Sequence, residues 1–186
     1  MSEPRRIPLD EKGMPVRRQD VPPESVEPDE PCDCPHLDRA DWDRIESDWS
    51  DITFVKTTTA AVMGVPVGYE STRDALKKMA EDRGGTIPDD AMLLNGAGRF
   101  RRPVMLEVEG VSEGKGVERP GGVVYSRLFE APWGQLSKLA DETADEAAKK
   151  YGRKPDALWV WYLTCRRCSR ARNFETLILA HYRHVP

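Results

Sequence analysis

Four cysteines and one histidine form two short clusters near opposite ends of the chain, and these clusters contain every cysteine in the sequence. Cys32, Cys34 and His36 lie near the start, and Cys165 and Cys168 lie near the end. A structural zinc site takes four Cys or His ligands, commonly with a C-x-x-C turn as one half. Neither cluster supplies four donors by itself. The sequence therefore predicts one zinc bound by Cys165, Cys168 and two of the other three, in a fold that brings the two clusters together.

Other roles for the cysteines stay open at this point. A C-x-x-C pair also occurs in thioredoxin-like redox sites, but there it lies between a strand and a helix. Here it lies between two strand-like runs, Leu158–Leu163 and Thr176–Tyr182, which is the position of a zinc knuckle. Structural disulfides are disfavoured because Ser2–Asp10 is charged and contains proline, unlike a signal peptide, so we expect a reducing cytoplasmic location. Cysteines without a shared role are the third alternative.

Charge and hydropathy limit the classes of partner. The chain has 186 residues with 28 basic and 32 acidic side chains, a net charge of −4 that gives no overall attraction for a polyanion. No apolar run approaches the roughly 18 residues of a membrane span. We therefore expect no nucleic-acid or membrane partner. We expect the chain to be either a monomer or a homodimer.

The first 56 residues are predicted to form a tail and an arm. Residues 1–31 hold seven of the fifteen prolines and no aromatic residue, so they cannot bury enough apolar surface to offset the entropy of ordering. This segment is predicted to be disordered. Residues 32–56 are predicted to be a metal-binding arm. Within the arm, Trp42 and Trp49 recur at helical spacing, which predicts a short helix over Asp38–Asp51 that packs on the C-terminal half.

From residue 57 to residue 186 the pattern predicts one unit built twice, each time as a strand, a helix and two strands. The first module spans about 57–111, with strands at Ala60–Tyr69, Ala91–Asn95 and Pro103–Glu109 and a helix opened by the capping-box sequence Ser71-Thr-Arg-Asp74. The second spans about 122–183, with a strand at Val123–Phe129, a helix after Pro132-Trp133-Gly134, and the two strand-like runs that flank the C-x-x-C. The glycine-rich stretch Ser112–Gly122 is predicted to link them. The fold class is therefore α+β, with antiparallel sheets and two main helices.

This order of elements resembles the GyrI-like superfamily, the small-molecule-binding domains of multidrug-sensing regulators, over about Thr57–Arg183. Met63–Tyr69 is similar to the first strand of that family, Leu158–Leu163 to its fifth, and Leu177–Tyr182 to its sixth. The resemblance implies a ligand cleft between the two modules, lined by aromatic side chains with an acidic or phenolic group at its base.

The chain also resembles a bacterial family that is described only as hydrolase. The resemblance runs through a series of short segments: CDCPH, DW, SDW, IPDDAMLL, GRFRRPVMLEVEG, APWG, LWVWYLTC and ETLILAHYR. It implies an enzyme without naming a substrate.

Strand alternation supplies candidate catalytic residues. Glu107 and Glu109 share one face of their strand with Met105. A carboxylate desolvated there would have a raised pKa and could act as a general acid or base. The alternative is that this face is the solvated side of an antiparallel sheet. We predict Glu107 or Glu109 as the group that activates water, with the hydroxyl of Tyr182 as proton donor.

Aromatic residues supply candidate ligand contacts. Trp159 and Trp161 share one face of a strand whose other face is also apolar, so both faces must be covered. Tyr69, Tyr125 and Trp133 are predicted to complete an aromatic ligand site with them. Core packing is the alternative for each residue, because aromatic side chains normally serve burial.

The sequence thus predicts a zinc-stabilised protein that binds a small hydrophobic ligand in an aromatic cleft, with hydrolysis of that ligand as one form of its function. Sequestration or sensing of the ligand without chemistry is an alternative. A metal- or redox-responsive interaction protein, in which zinc release frees the arm, is another. Loss of metal is expected to detach residues 32–50, because they would reach the knuckle through the metal.

Overall fold

A computed structural model describes residues 32, 34–62, 65–165 and 167–184, without the side chains of residues 62, 65, 66 and 69. The predicted disordered tail, residues 1–31, lies outside the described residues. Residues 33–186 form one unit, to which all the helices and strands below belong.

The described part of this unit contains three α-helices and nine β-strands. In chain order they are α1 (Arg39–Trp42), β1 (Glu46–Asp48), β2 (Thr53–Val62), β3 (Val65–Pro66), α2 (Tyr69–Glu81), β4 (Leu93–Gly96), β5 (Arg101–Val108), β6 (Val117–Glu118), β7 (Val123–Phe129), α3 (Leu136–Tyr151), β8 (Ala157–Tyr162) and β9 (Thr176–Tyr182). A single 3-10 turn, Trp133–Gln135, precedes α3.

The strands form one antiparallel sheet in the order β1-β7-β9-β8-β4-β5-β2-β3, with β6 paired to β2. The two predicted modules are β2-α2-β4-β5 and β7-α3-β8-β9. In each module the last strand lies between the other two, and the modules meet where Leu94 of β4 pairs with Trp161 of β8. The α+β class with duplicated antiparallel modules is therefore confirmed.

Both long helices pack on the same face of the sheet. Leu76 and Ala80 of α2 contact a cluster of buried aliphatic side chains that includes Val104 of β5. Ala147 of α3 contacts Tyr125 and Tyr182 in the second module. Apolar positions three and four residues apart on each helix thus face the sheet, which is why these two segments form amphipathic helices.

The other face of the sheet is covered by the arm. Trp49 is only 2% exposed, and its ring lies 5.3 Å from the ring of Phe54 and 5.5 Å from that of His181. Trp42 packs edge-on against Trp161 at 6.0 Å. The two tryptophans therefore fill an apolar face to which both modules contribute.

Polar contacts hold the arm at the edge of β7 without any cysteine. Glu46 to Asp48 of β1 pair with Val123 to Tyr125 of β7. The hydroxyl of Ser126 donates to the carbonyl of Trp42 at 2.6 Å, and the half-buried guanidinium of Arg127 donates to Asp43 at 3.1 Å. The arm is thus part of the sheet.

The predicted helix over Asp38–Asp51 is wrong beyond its first turn. The α1 helix ends at Trp42, Arg44 takes a left-handed φ of 63°, and the chain continues as β1. The edge of β7 offers unpaired backbone groups, and the N–H of Arg44 and the C=O of Ile45 both bond to Ser126. The backbone hydrogen bonds to this edge favour a strand here, and they outweigh the helix preference that the spacing of the tryptophans indicated.

Other elements also differ from the sequence prediction, and β4, β5 and β8 shift by only one or two residues. The first strand of the first module begins at Thr53 instead of Ala60. The α2 helix begins at Tyr69 after the left-handed Gly68, and the hydroxyl of Ser71 donates back to the Gly68 carbonyl, so the predicted capping box is wrong. The predicted linker Ser112–Gly122 contains β6, because its backbone pairs with the exposed edge of β2.

We predict that Trp49→Ala lowers the free energy of unfolding by about 3–5 kcal/mol, since it removes a buried indole from the shared apolar face. Urea denaturation followed by circular dichroism measures the change. Trp133→Ala is the matched control, because Trp133 is 39% exposed and should cost clearly less. Equal losses in the two variants would contradict the covering role of Trp49.

Candidate metal centre

The two predicted cysteine clusters come together in the structure. The thiol sulfurs of Cys32, Cys34, Cys165 and Cys168 lie within 4.8 Å of one another, and each side chain is partly buried. Ligands in a tetrahedron around zinc, at a zinc–sulfur distance of about 2.3 Å, lie ~3.8 Å apart. The sulfurs of Cys165 and Cys168 are 3.9 Å apart. The four cysteines could therefore hold one metal ion, as the sequence predicted.

The loop after β8 presents Cys165 and Cys168 together. The N–H of Ser169 donates to the carbonyl of Cys165 at 2.9 Å, so the chain turns back on itself between the two thiols. Asn173 and Phe174 then take left-handed φ values of 46° and 57°, and these reverse the chain into β9. A bulky residue rarely adopts that conformation, so the loop holds backbone strain at Phe174.

Local hydrogen bonds favour the thiolate of Cys165. The backbone N–H of Cys168 donates to its sulfur and is the main cause that lowers the pKa of Cys165 to about 7, while burial opposes the shift. The N–H of Arg167 and the thiols of Cys34 and Cys168 add smaller contributions in the same direction. Metal ligation needs the thiolate, so this environment suits a metal ligand.

His36, the fifth predicted donor, lies apart from the cluster. Its side chain is exposed, and the group of donors that the described residues assemble contains the four cysteines without it. The sequence left open which two of Cys32, Cys34 and His36 join the C-x-x-C pair. The structure brings Cys32 and Cys34 to the C-x-x-C pair.

Glu107 lies on the face of the sheet that the arm covers. Its carboxylate accepts a hydrogen bond from the N–H of Met92 at 3.0 Å. Burial raises the pKa of Glu107, and the nearby charges of Asp90 and Glu109 raise it further against that hydrogen bond. Glu109 itself is exposed, so of the two predicted carboxylates only Glu107 is partly desolvated.

The predicted aromatic residues are divided between the two faces of the sheet. Trp159 and Trp161 belong to the core that the arm covers. Tyr125 and Tyr182 lie on the opposite face with α3, so Glu107 and Tyr182 are separated by the sheet.

Trp133 belongs to none of the buried clusters on the two faces of the sheet. It packs edge-on against Tyr162 and Phe174, with ring distances of 5.8 and 5.3 Å. The side chain of Tyr69 is outside the described residues. The described aromatic side chains thus do not meet in one cavity, because the two faces of a strand point in opposite directions.

An unsatisfied polar atom lies where the two modules meet. Asn95 of β4 is fully buried, and its Oδ1 has no hydrogen-bond partner among the described residues. Its register partners are Val104 and Val160, and Val104 contacts α2, so Asn95 faces the helix layer. Buried acceptors normally have a partner, in the protein, in water or in a ligand. Nothing in the sequence singled out this residue.

The sequence matches the family described as bacterial hydrolase over residues 24–180. The match covers most of the chain and includes all four clustered cysteines. The chain therefore belongs to the bacterial hydrolase family. No curated protein matches the sequence. Among the described residues, no helix has the length and apolar character that crossing a bilayer requires.

The contacts of the arm correct the prediction that metal loss detaches residues 32–50. Residues 39–50 have their own hydrogen bonds and the packing of Trp42 and Trp49, so chelation should loosen only residues 34–38, where the hydrogen bond from Arg172 to the Pro35 carbonyl remains. Chymotrypsin cleavage after Leu37 should then accelerate, while cleavage after Trp49 stays slow. The melting temperature should fall, by about 2–4 °C for each kcal/mol lost in a protein of this size. Equal cleavage after Leu37 with and without chelator would contradict this prediction.

Proposed function

We propose that this protein is a zinc-stabilised member of the bacterial hydrolase family, with one zinc bound by Cys32, Cys34, Cys165 and Cys168. The observation that carries the proposal is the approach of the four thiol sulfurs to within 4.8 Å of one another. Thiolate donors in a tetrahedral arrangement favour zinc over the hard cations, which take oxygen ligands.

The proposed zinc has a structural role. Four thiolates fill a tetrahedral shell, which leaves no position for the water that a catalytic zinc activates. The ion instead joins Cys34 to Cys165 across about 130 residues of chain. A metal that binds the folded chain much more tightly than the unfolded one adds its binding energy to stability.

Purified protein should contain one zinc per chain. Replacement of any of the four cysteines by serine should lower zinc affinity and the melting temperature, whereas His36→Ala should change neither, because His36 is exposed and outside the cluster. Elemental analysis and thermal melts measure both quantities. Zinc-free protein that melts at the same temperature as the metal-loaded protein would contradict the proposal.

Ligand binding at the junction of the modules is a second proposal, supported by Asn95. The α2 helix packs on β2 and β5, and α3 packs on β7 and β9, so β4 and β8 lie between them. The Oδ1 of Asn95, which has no partner within the described ranges, faces that region, and a ligand N–H or O–H would satisfy it. The duplicated modules support kinship with GyrI-like domains, which implies a small hydrophobic ligand. Sequestration without chemistry remains the alternative.

Hydrolysis is a third proposal, separate from ligand binding at Asn95. The family description supports it, and Glu107 is the residue to test because burial raises its pKa. A half-buried carboxylate with a raised pKa can accept a proton from water near neutral pH more readily than an exposed one. Since Tyr182 lies on the other face of the sheet, it does not serve as the acid partner of Glu107.

Hydrophobic esters and epoxides are suitable test substrates. If Glu107 is the base, Glu107→Gln should lower turnover by about 10²-fold or more, with ligand-induced quenching of tryptophan fluorescence retained. Glu70→Gln, an exposed change on α2, is the control. Equal turnover in wild type, Glu107→Gln and Glu109→Gln would remove both glutamates from the mechanism. Quenching without any turnover would favour sequestration.

A further inference from the structure

Arg172 lies in the loop between Cys168 and β9, and its side chain is only 11% exposed. Its own N–H donates to the carbonyl of Cys168 at 3.0 Å. The carboxylate of Glu175 accepts a hydrogen bond from its Nε at 3.1 Å and a second from Nη2. A buried cation is tolerated when it is paired and its donors are used, and both conditions hold here.

The remaining donors of Arg172 reach both halves of the cysteine centre. Nη2 donates to the carbonyl of Pro35 at 2.7 Å, and Pro35 directly follows Cys34. Nη1 donates to the carbonyl of Leu163 at 3.0 Å, two residues before Cys165. One guanidinium thus holds two backbone segments that are far apart in sequence at the place where their thiols meet.

We propose that Arg172 aligns the two cysteine pairs before metal binds and thereby raises the affinity of the centre. It is a positioning residue, because it contacts the backbone beside the ligands. Collecting four ligands from separate segments costs conformational entropy, and a clamp already present in the metal-free protein removes part of that cost. The effect on zinc affinity rests on the proposed zinc site.

The geometry requires arginine in particular. The carbonyls of Pro35 and Leu163 and the carboxylate of Glu175 approach from different directions, and a planar guanidinium with five N–H donors can satisfy all three. A lysine ammonium carries the same charge at one point and cannot span them. Arg172→Lys therefore separates the effect of the positive charge from the effect of the planar arrangement of N–H donors.

Zinc affinity should be measured by competition with a chromophoric chelator. Arg172→Gln should weaken zinc binding by about 10–100-fold, the usual effect of removing a group that orients metal ligands. Arg172→Lys should recover only a minor part of the loss. Arg170→Gln, an exposed arginine of the same loop, should stay within about twofold of wild type. Affinity in Arg172→Gln within twofold of wild type would overturn the proposal, and full recovery in Arg172→Lys would overturn its geometric basis.

Hydrogen exchange on zinc-free protein tests the clamp without metal. Backbone amides of residues 34–42 should exchange faster in Arg172→Gln than in wild type or Arg170→Gln. Glu175→Gln keeps both contacts of Arg172 with backbone carbonyls, so its amides should exchange at an intermediate rate. This variant replaces Arg172→Gln if Arg172→Gln does not fold. If wild type bound no zinc while these exchange differences remained, the zinc site would be refuted and the clamp retained. Identical exchange in all variants would refute the clamp.

Discussion

The fold depends on covering the face of the sheet opposite the helices. Both modules contribute apolar side chains to that face, so neither module can complete its core alone. Trp42 and Trp49 of the arm fill it, and β1 adds hydrogen bonds to the edge of β7. The sheet therefore has helices on one face and the arm on the other. A region that would otherwise form an exposed aromatic surface becomes core.

The four cysteines meet at the beginning of this arm. Because residues 39–50 are held by the sheet itself, a metal bound by these thiols would act on a short segment and on the loop before β9. Arg172 contacts the same two segments through backbone carbonyls. A bound metal and the guanidinium would thus act on the same junction, one through the thiols and the other through the chain beside them.

The covered face also limits where a ligand can bind. A ligand at Trp159 or Trp161 would compete with the two arm tryptophans. The helix-side junction of β4 and β8 instead carries the buried Oδ1 of Asn95, for which the described part of the chain supplies no partner. Glu107 is desolvated on the face that the arm covers. A ligand at Asn95 and a proton transfer at Glu107 would therefore lie on opposite faces of the sheet.

The sequence by itself determined the α+β class, the duplicated order of elements and the clustering of the cysteines, because these follow from local periodicity and from donor chemistry. It placed β7 and β9 at their observed bounds, since each is a short, mainly apolar run between polar or glycine residues. Tertiary structure alone decided that Trp42 and Trp49 cover a sheet instead of lining a helix, and that Tyr182 and Glu107 lie on opposite faces. It also decided that Asn95 is buried between the modules and that Arg172 bonds to the chain beside both cysteine pairs. Each of these depends on which distant strand or loop lies alongside, and pairing across the chain is set by global packing instead of local pattern.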